Sequence, residues 1–337
     1  MPSYKTRHFN TAQELWNAIR PEEIGHHIGH HNYPIYRGQA DSDWKLLPNA
    51  SRGIKNKTVL EQAQYEIELI LHFLDYCDKT GIQVPGDIPQ TRLALKKALN
   101  SVNRADKFNW PHPKFYEILA FAQHFGVSTK LLDWSRRSFV AAYFSSSEAV
   151  KLITNCIQNG KKVDWNKNLA IWILETGIIN AVNNKGLYSL EYNADEEHKL
   201  PLNIVNIPSG VNPHIAAQQG CFTIFRYIED NSNSTEILDV FNPKFSSEKT
   251  IDTSSDMYFI NYLHKWSLPY KEAHKLLYLC EQYNVNAASI YPTATGAGYA
   301  VRDRMNIEVI KKYLKQFQYY EPNIKYLIMN YKSLKLK

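Results

Sequence analysis

The apolar rhythm of this chain changes near Asn168, and no all-helical or all-strand fold accommodates both halves. Upstream, Leu60, Ala63, Ile67, Ile70, Leu71 and Leu74 share one helical face between Thr58 and Asp78, which predicts a long helix. The same spacing predicts helices at Thr91–Val102, Lys114–Phe125 and Arg136–Ile153, with Pro113 suited to the first turn of the second and Gly126 to its end. Thr11 followed by Glu14 marks the start of a short N-terminal helix carrying Leu15, Trp16, Ala18 and Ile19. Downstream, Leu169–Glu175, Ile204–Ile207 and Cys221–Phe225 read as strands separated by Asn, Pro and Gly clusters. Pro34–Arg37, Trp44–Pro48 and Thr129–Trp134 add short extended pieces among the upstream helices, and helices return at Tyr270–Tyr283 and Ile307–Tyr319. The polar stretch Asp230–Ser255 reads as a long exposed loop. Strands and helices that do not alternate one for one predict an α+β fold, a mixed or mainly antiparallel sheet flanked by several helices.

Length and composition set the scale. A chain of 337 residues, 44% hydrophobic and 21% charged, buries one large core or two ordinary ones, so disorder is not the default. Its net charge of +6 is spread too thinly to imply nucleic acid by itself. Cys77, Cys156, Cys221 and Cys280 are too far apart for a C-x-x-C or zinc pairing and read as free thiols in a reducing compartment. The N-terminus lacks the apolar core of a signal peptide, and no apolar run approaches the ~20 residues of a membrane helix. The expectation is a cytoplasmic, soluble protein with no membrane partner.

Three stretches carry candidate chemistry. In Tyr36-Arg37-Gly38-Gln39 an arginine at a strand end presents its planar fork to a phosphate or carboxylate, while the glycine lets a ligand approach the backbone; a structural ion pair is the plainer reading. In Ala122–Ser135, Gln123 and His124 fall in a helix's last turn, where the dipole favours a protonated imidazole. Asp133, set between apolar residues, reads as a helix cap or a partly buried carboxylate, with Ser135 as the other cap candidate. In the third stretch, Gln218 and Gln219 precede Gly220 and a strand, where they bond a ligand or satisfy backbone groups. His26, His27, His30 and His31 offer i, i+4 pairs, but Gly25, Gly29 and Pro34 oppose a helix and no third ligand has a diagnostic spacing, so no metal is expected. The Lys/Tyr runs at 311–315 and 331–337 suit phosphate contact with base stacking, or simply a solvated face.

In their order these stretches resemble the FRG domain family. The resemblance rests on YRGQ with W-x-L-x-P at Trp44–Pro48, on AQHFGVSTKLLDWS at Ala122–Ser135 with A-x-Y-F at Ala141–Phe144, and on AQQGCF at Ala217–Phe222. It divides the chain into residues 1–31, a helix and His-rich lead-in, 32–225, the FRG-like core, and 226–337, a C-terminal α/β extension packed on the same domain. Lys130 and His214 stand where family members usually carry arginine, and a PDLDG-like segment survives only as Pro292–Gly296. The resemblance implies a bacterial or phage protein with a role in defence or toxicity. The enzymatic reading beside it is a fold-level analogy, an ADP-ribosyltransferase-like chemistry using NAD. Arg37, His124, Asp133 and Gln219 are then the catalytic candidates, and Tyr36, Gly38, Gln39, Gln123, Lys130 and Tyr143 the cofactor-binding ones. In that scheme Arg37 anchors phosphate, Tyr143 stacks on the nicotinamide and Gln219 meets the ribose, with Glu175 as a substitute carboxylate. A second enzymatic reading makes His124 and Asp133 an acid/base pair with Arg37 as electrophile. The alternative is a non-catalytic module that binds a nucleotide, nucleic acid or a phage component and signals to a protein partner.

Overall fold

Capping boxes open two helices where the sequence places them. Thr11 accepts a hydrogen bond from the Glu14 amide while the Glu14 carboxylate accepts from the Thr11 amide, and Thr58 and Glu61 repeat the arrangement; each box contributes about 1 kcal/mol. These boxes start α1 (Ala12–Ala18) and α3 (Val59–Thr80), with α2 (Pro21–Ile28) between them. The structure, a computed structural model, describes residues 4–28, 33–52, 58–104, 110–177, 202–208, 210, 213–225 and 262–334, and side chains only as far as residue 316.

Among the described residues seven strands form one sheet: β1 (Lys5–His8), β2 (Ile35–Gln39), β3 (Leu131–Ser135), β4 (Asn168–Leu174), β5 (Leu202–Val205), β6 (Gly220–Phe225) and β7 (Leu263–Pro269). Their order is β1-β7-β4-β2-β3-β6-β5, with β1 parallel to β7 and every other neighbouring pair antiparallel. The fold is α+β, a mixed sheet flanked by helices, as the sequence leads one to expect. β1 comes from the first 31 residues and β7 from the last third, and β7 in turn pairs along its length with β4. Neither β1 nor β7 stands out in the sequence: β1 is an exposed edge strand, and His264 and Lys265 break the apolar run of β7.

The remaining helices are α4 (Pro89–Arg104), α5 (Tyr116–His124), α6 (Ser138–Gln158), α7 (Pro213–Gln218), α8 (Ala273–Gln282), α9 (Ala287–Ile290) and α10 (Ala294–Leu334). Trp44–Pro48 joins no strand and is an irregular loop. α10 begins 13 residues before the expected Ile307, because neither Gly296 nor Gly298 stops it. The expected loop Asp230–Ser255 lies outside the described residues, as do His30 and His31 of the histidine array. No helix among those described is long and apolar enough to cross a membrane.

Strand alternation sends Tyr36, Ile171, Ile173 and Trp266 to one face of the sheet, where Trp16, Val140, Ala141 and Leu277 cover them. Ile35, Leu132, Trp134 and Trp172 point the other way with Leu46. A third cluster joins α3, α4 and α5 through Ile67, Leu95 and Ile118 to Leu131 and Ile224.

Candidate functional site

β2 and β3 touch at a single register position, Tyr36 opposite Ser135, whereas β2 pairs with β4 over five positions. Beyond that position the strands part. A cavity of about 450 Å³ opens there, its walls including β2 from Tyr36 to Gln39, Ala40 just after it, and β3 from Asp133 to Ser135. That size suits a small ligand. Arg37 spans the gap: its Nη1 donates to the Asp133 carbonyl at 2.7 Å, an acceptor that a paired strand would have engaged, and lies 3.7 Å from the Asp133 carboxylate. The Arg37 side chain is 13% exposed, and its Nε has no hydrogen-bond partner among the described residues. Burial pushes the guanidinium down from its usual range and Asp133 pulls it back, with Arg52 close enough to push it down further. Arg52 also lines the cavity, donating Nε to the Leu47 carbonyl.

α5 supplies a second wall. Gln123 donates to Asp133 Oδ1 at 2.6 Å and accepts from the Thr129 hydroxyl, so the turn after α5 sets the carboxylate beside Arg37. Asp133 therefore caps no helix. Nor does Ser135: Arg137 occupies the position before α6 with no side-chain cap bond, and Ser135 accepts from the Arg137 amide at 2.9 Å in the turn ahead of it while donating to the Gln218 carbonyl. The His124 ring lies 4.7 Å from that of His214, and no hydrogen bond joins His124 to Asp133 among the described residues. Burial, then the neighbouring His214, lowers the His124 pKa, with Asp133 opposing. Desolvation thus opposes the protonated form that the helix dipole is expected to favour. Cys221 also faces the cavity, but burial raises its thiol to about 11, so it is no nucleophile near neutrality.

Residues 32–152 match the family model described as FRG domain. The chain carries an FRG domain. No curated protein and no solved structure gives a significant match. Of the cavity wall, Tyr36, Arg37, Gln123, His124 and Asp133 fall inside the FRG match, while His214, Gln218, Cys221 and Tyr291 come from the chain after it.

The glycine of the FRG domain's YRGQ motif faces a helix. A Cβ on Gly38 would stand 2.1 Å from the Ala141 carbonyl oxygen and 2.6 Å from the Ser145 amide, so the residue is needed for α6 to pack against β2. Gln39 is equally committed: it is 3% exposed, accepts from the Trp172 indole at 2.7 Å and donates to the Lys45 carbonyl. Both border the cavity, yet their main partners are within the protein.

Three candidates stand outside the wall of the cavity. Tyr143 turns into the core and donates to Asp303 of α10 at 2.8 Å. Lys130 is 5% exposed and coupled to buried Glu66, which accepts from the Trp110 indole. Desolvation brings Lys130 down, and Glu66 up, to about 7. Gln219 adopts φ 45° as the chain leaves α7 and gives its carbonyl to the Arg136 amide; its neighbour Gln218 is the one on the cavity. Glu175 is sealed in the sheet, 2.6 Å from His264.

Sequence reasoning passed over Trp44, Arg52, Glu148 and Tyr291, all of which line the cavity. Glu148 lies four residues beyond Phe144 of the A-x-Y-F element, on the same face of α6, and Trp44 opens the W-x-L-x-P element, so both were within reach of helical spacing or motif membership. Tyr291 had a fainter signal. It precedes the Pro292–Gly296 echo, and a Cβ on Gly296 would come 1.9 Å from the Tyr291 carbonyl oxygen, which ties the start of α10 to this part of the wall.

Proposed function

We propose that the FRG cavity binds a phosphate-bearing nucleotide, that NAD is the ligand, and that the site cleaves its nicotinamide–ribose bond. The observation that carries this reading is Arg37: a guanidinium held in the cavity wall by one contact to the main chain, its Nε still unpartnered, with a second arginine beside it. Two neighbouring guanidinium groups suit a pyrophosphate, which offers several acceptor oxygens in one plane of approach. Glu148 supports the chemical step. It pairs with Lys151 at 3.4 Å rather than with an arginine, and in this reading it takes the role that the ADP-ribosyltransferase analogy gave to Gln219.

In the reaction the bond between C1′ and the nicotinamide nitrogen breaks, and nicotinamide leaves with the bonding pair. The oxygen of water, or of an acceptor, bonds C1′ and gives up one proton. A carboxylate near the ribose favours the positive charge that develops at C1′. Loss of NAD on this scale would supply the toxin or defence role that the resemblance implies. A module that binds the nucleotide without turning it over is the second reading; it rests on the same Arg37 wall and differs at Glu148.

The full chain incubated with NAD labelled in the nicotinamide ring tests both. Release of free nicotinamide, with Arg37→Ala weakening NAD binding about tenfold or more and Glu148→Gln abolishing release while NAD still binds, is the expected result. Tight NAD binding without release by the wild type selects the recognition module. Failure of the wild type to bind NAD refutes the proposal.

A further inference from the structure

Trp44 is held in the wrong place for a packing residue. It is 46% exposed, the most solvent-open of the seven tryptophans, yet it borders the cavity beside Arg37 and Arg52. The loop that carries it is fixed on both sides. Ahead of it, buried Asp41 accepts from the Lys167 ammonium at 2.6 Å and from the Asp43 amide, the Trp44 amide donates to the Asp41 carbonyl, and the Ser42 amide reaches the Asn168 carbonyl. Behind it, Gln39 grips the Lys45 carbonyl and Leu46 is fully buried. A rigid backbone presenting a large flat indole to a cavity is a stacking surface organised before the ligand arrives, which spares the cost of ordering it on binding.

We infer that the ligand of this site carries a planar heteroaromatic base, that Trp44 stacks on it, and that Trp44 thereby separates base-bearing phosphates from plain sugar phosphates. The inference rests on the nucleotide reading above and narrows it. An indole face attracts a base through its π-surface and apolar area with little regard to which base it is, so the selectivity is for the presence of a ring rather than for its identity. Arg37 and Arg52 hold the phosphate and leave Trp44 to read the other end of the ligand.

The test compares AMP with ribose 5-phosphate, which offers the same phosphate and no base, by calorimetry on the full chain and on Trp44→Ala and Trp44→Phe. Wild type should bind AMP about tenfold or more tightly than ribose 5-phosphate. Trp44→Ala should remove that advantage, raising the AMP Kd by a similar factor and leaving the ribose 5-phosphate Kd unchanged, and Trp44→Phe should keep most of it. AMP should also shield the wild-type fluorescence from acrylamide, because Trp44 is the tryptophan most open to the quencher. Equal losses for both ligands in Trp44→Ala, or no loss for AMP, would overturn the inference while leaving phosphate binding standing. If neither AMP nor ribose 5-phosphate binds the wild type, the nucleotide reading falls and takes this one with it.

Discussion

Arg37 with Asp133 and Lys130 with Glu66 are the same kind of pair, a cation and a carboxylate drawn from or near the FRG motifs, yet they serve opposite ends. Asp133 is 57% exposed, and Arg37 reaches its carbonyl more closely than its carboxylate. The guanidinium is therefore only partly consumed by the protein. Lys130 and Glu66 are both almost fully buried, and Glu66 accepts from the Trp110 indole at 2.9 Å. Water decides between them. An exposed carboxylate is stabilised by solvent and leaves its cation available, whereas in the dry interior desolvation pushes Lys130 and Glu66 each toward the neutral form, and their mutual attraction only partly opposes it. The first pair borders the cavity, and the second lies in the interior, Glu66 on α3 and Lys130 in the turn before β3.

The contrast breaks most visibly at Lys130. Lys130→Met leaves Glu66 buried opposite no cation and should cost about 3 kcal/mol in urea unfolding. A cost below about 1 kcal/mol would show that Glu66 stays neutral and that burial alone distinguishes the pairs. Gly38→Ala should come next, at about 2 kcal/mol, because the added methyl meets backbone atoms of α6 that cannot rotate away. Comparison with Ser145→Gly, which leaves the β2 backbone untouched, tells overpacking from a general sensitivity of this contact.

The buried pair also predicts a pH dependence. Burial raises Glu66 from its ordinary 4.5 to about 7 in the folded chain. Between those values the folded state holds a proton that the unfolded state has released. The contribution of Glu66 is thus complete below the lower value and declines as pH rises through the higher one. Unfolding free energies measured from pH 4.5 to pH 7 should fall more steeply for wild type than for Glu66→Gln, and parallel curves would rule out the raised carboxyl. Arg37→Ala should change stability by only about 1 kcal/mol while weakening NAD binding about tenfold or more, which separates site from scaffold in one variant. Smallest of all is Gln123→Ala, at about 0.5 kcal/mol, since water replaces the amide on an exposed Asp133; a loss as large as that of Lys130→Met would place Asp133 in the scaffold instead.

How much was legible depended on whether a signal was local. The capping boxes at Thr11 and Thr58 depend on residues three apart, and α3 on a face repeated over 22 residues, so both could be read directly. β1 and β7 could not, because each is defined by its neighbour: the exposed Lys5–His8 becomes a strand only by lying along His264–Ser267. In the site, Arg37, Gln123, His124 and Asp133 were marked by sequence and do meet at one cavity. Lys130 was marked by the same motif and is buried elsewhere, because a place immediately before a strand says nothing about which side of the chain water lies on.

The sequence by itself therefore determined the element types, the mixed sheet and the motif residues that gather around Arg37, since these follow from periodicity, capping and short-range pattern. Only the tertiary structure decided that β2 and β3 part after one pair, that the cavity lies in that gap, and that Trp44, Arg52, Glu148 and Tyr291 complete it. The reason is physical: whether a charged or aromatic side chain serves a ligand or the core is set by its desolvation. Desolvation depends on which distant segments pack around it: Lys130 is sealed in, whereas Trp44 stays 46% exposed.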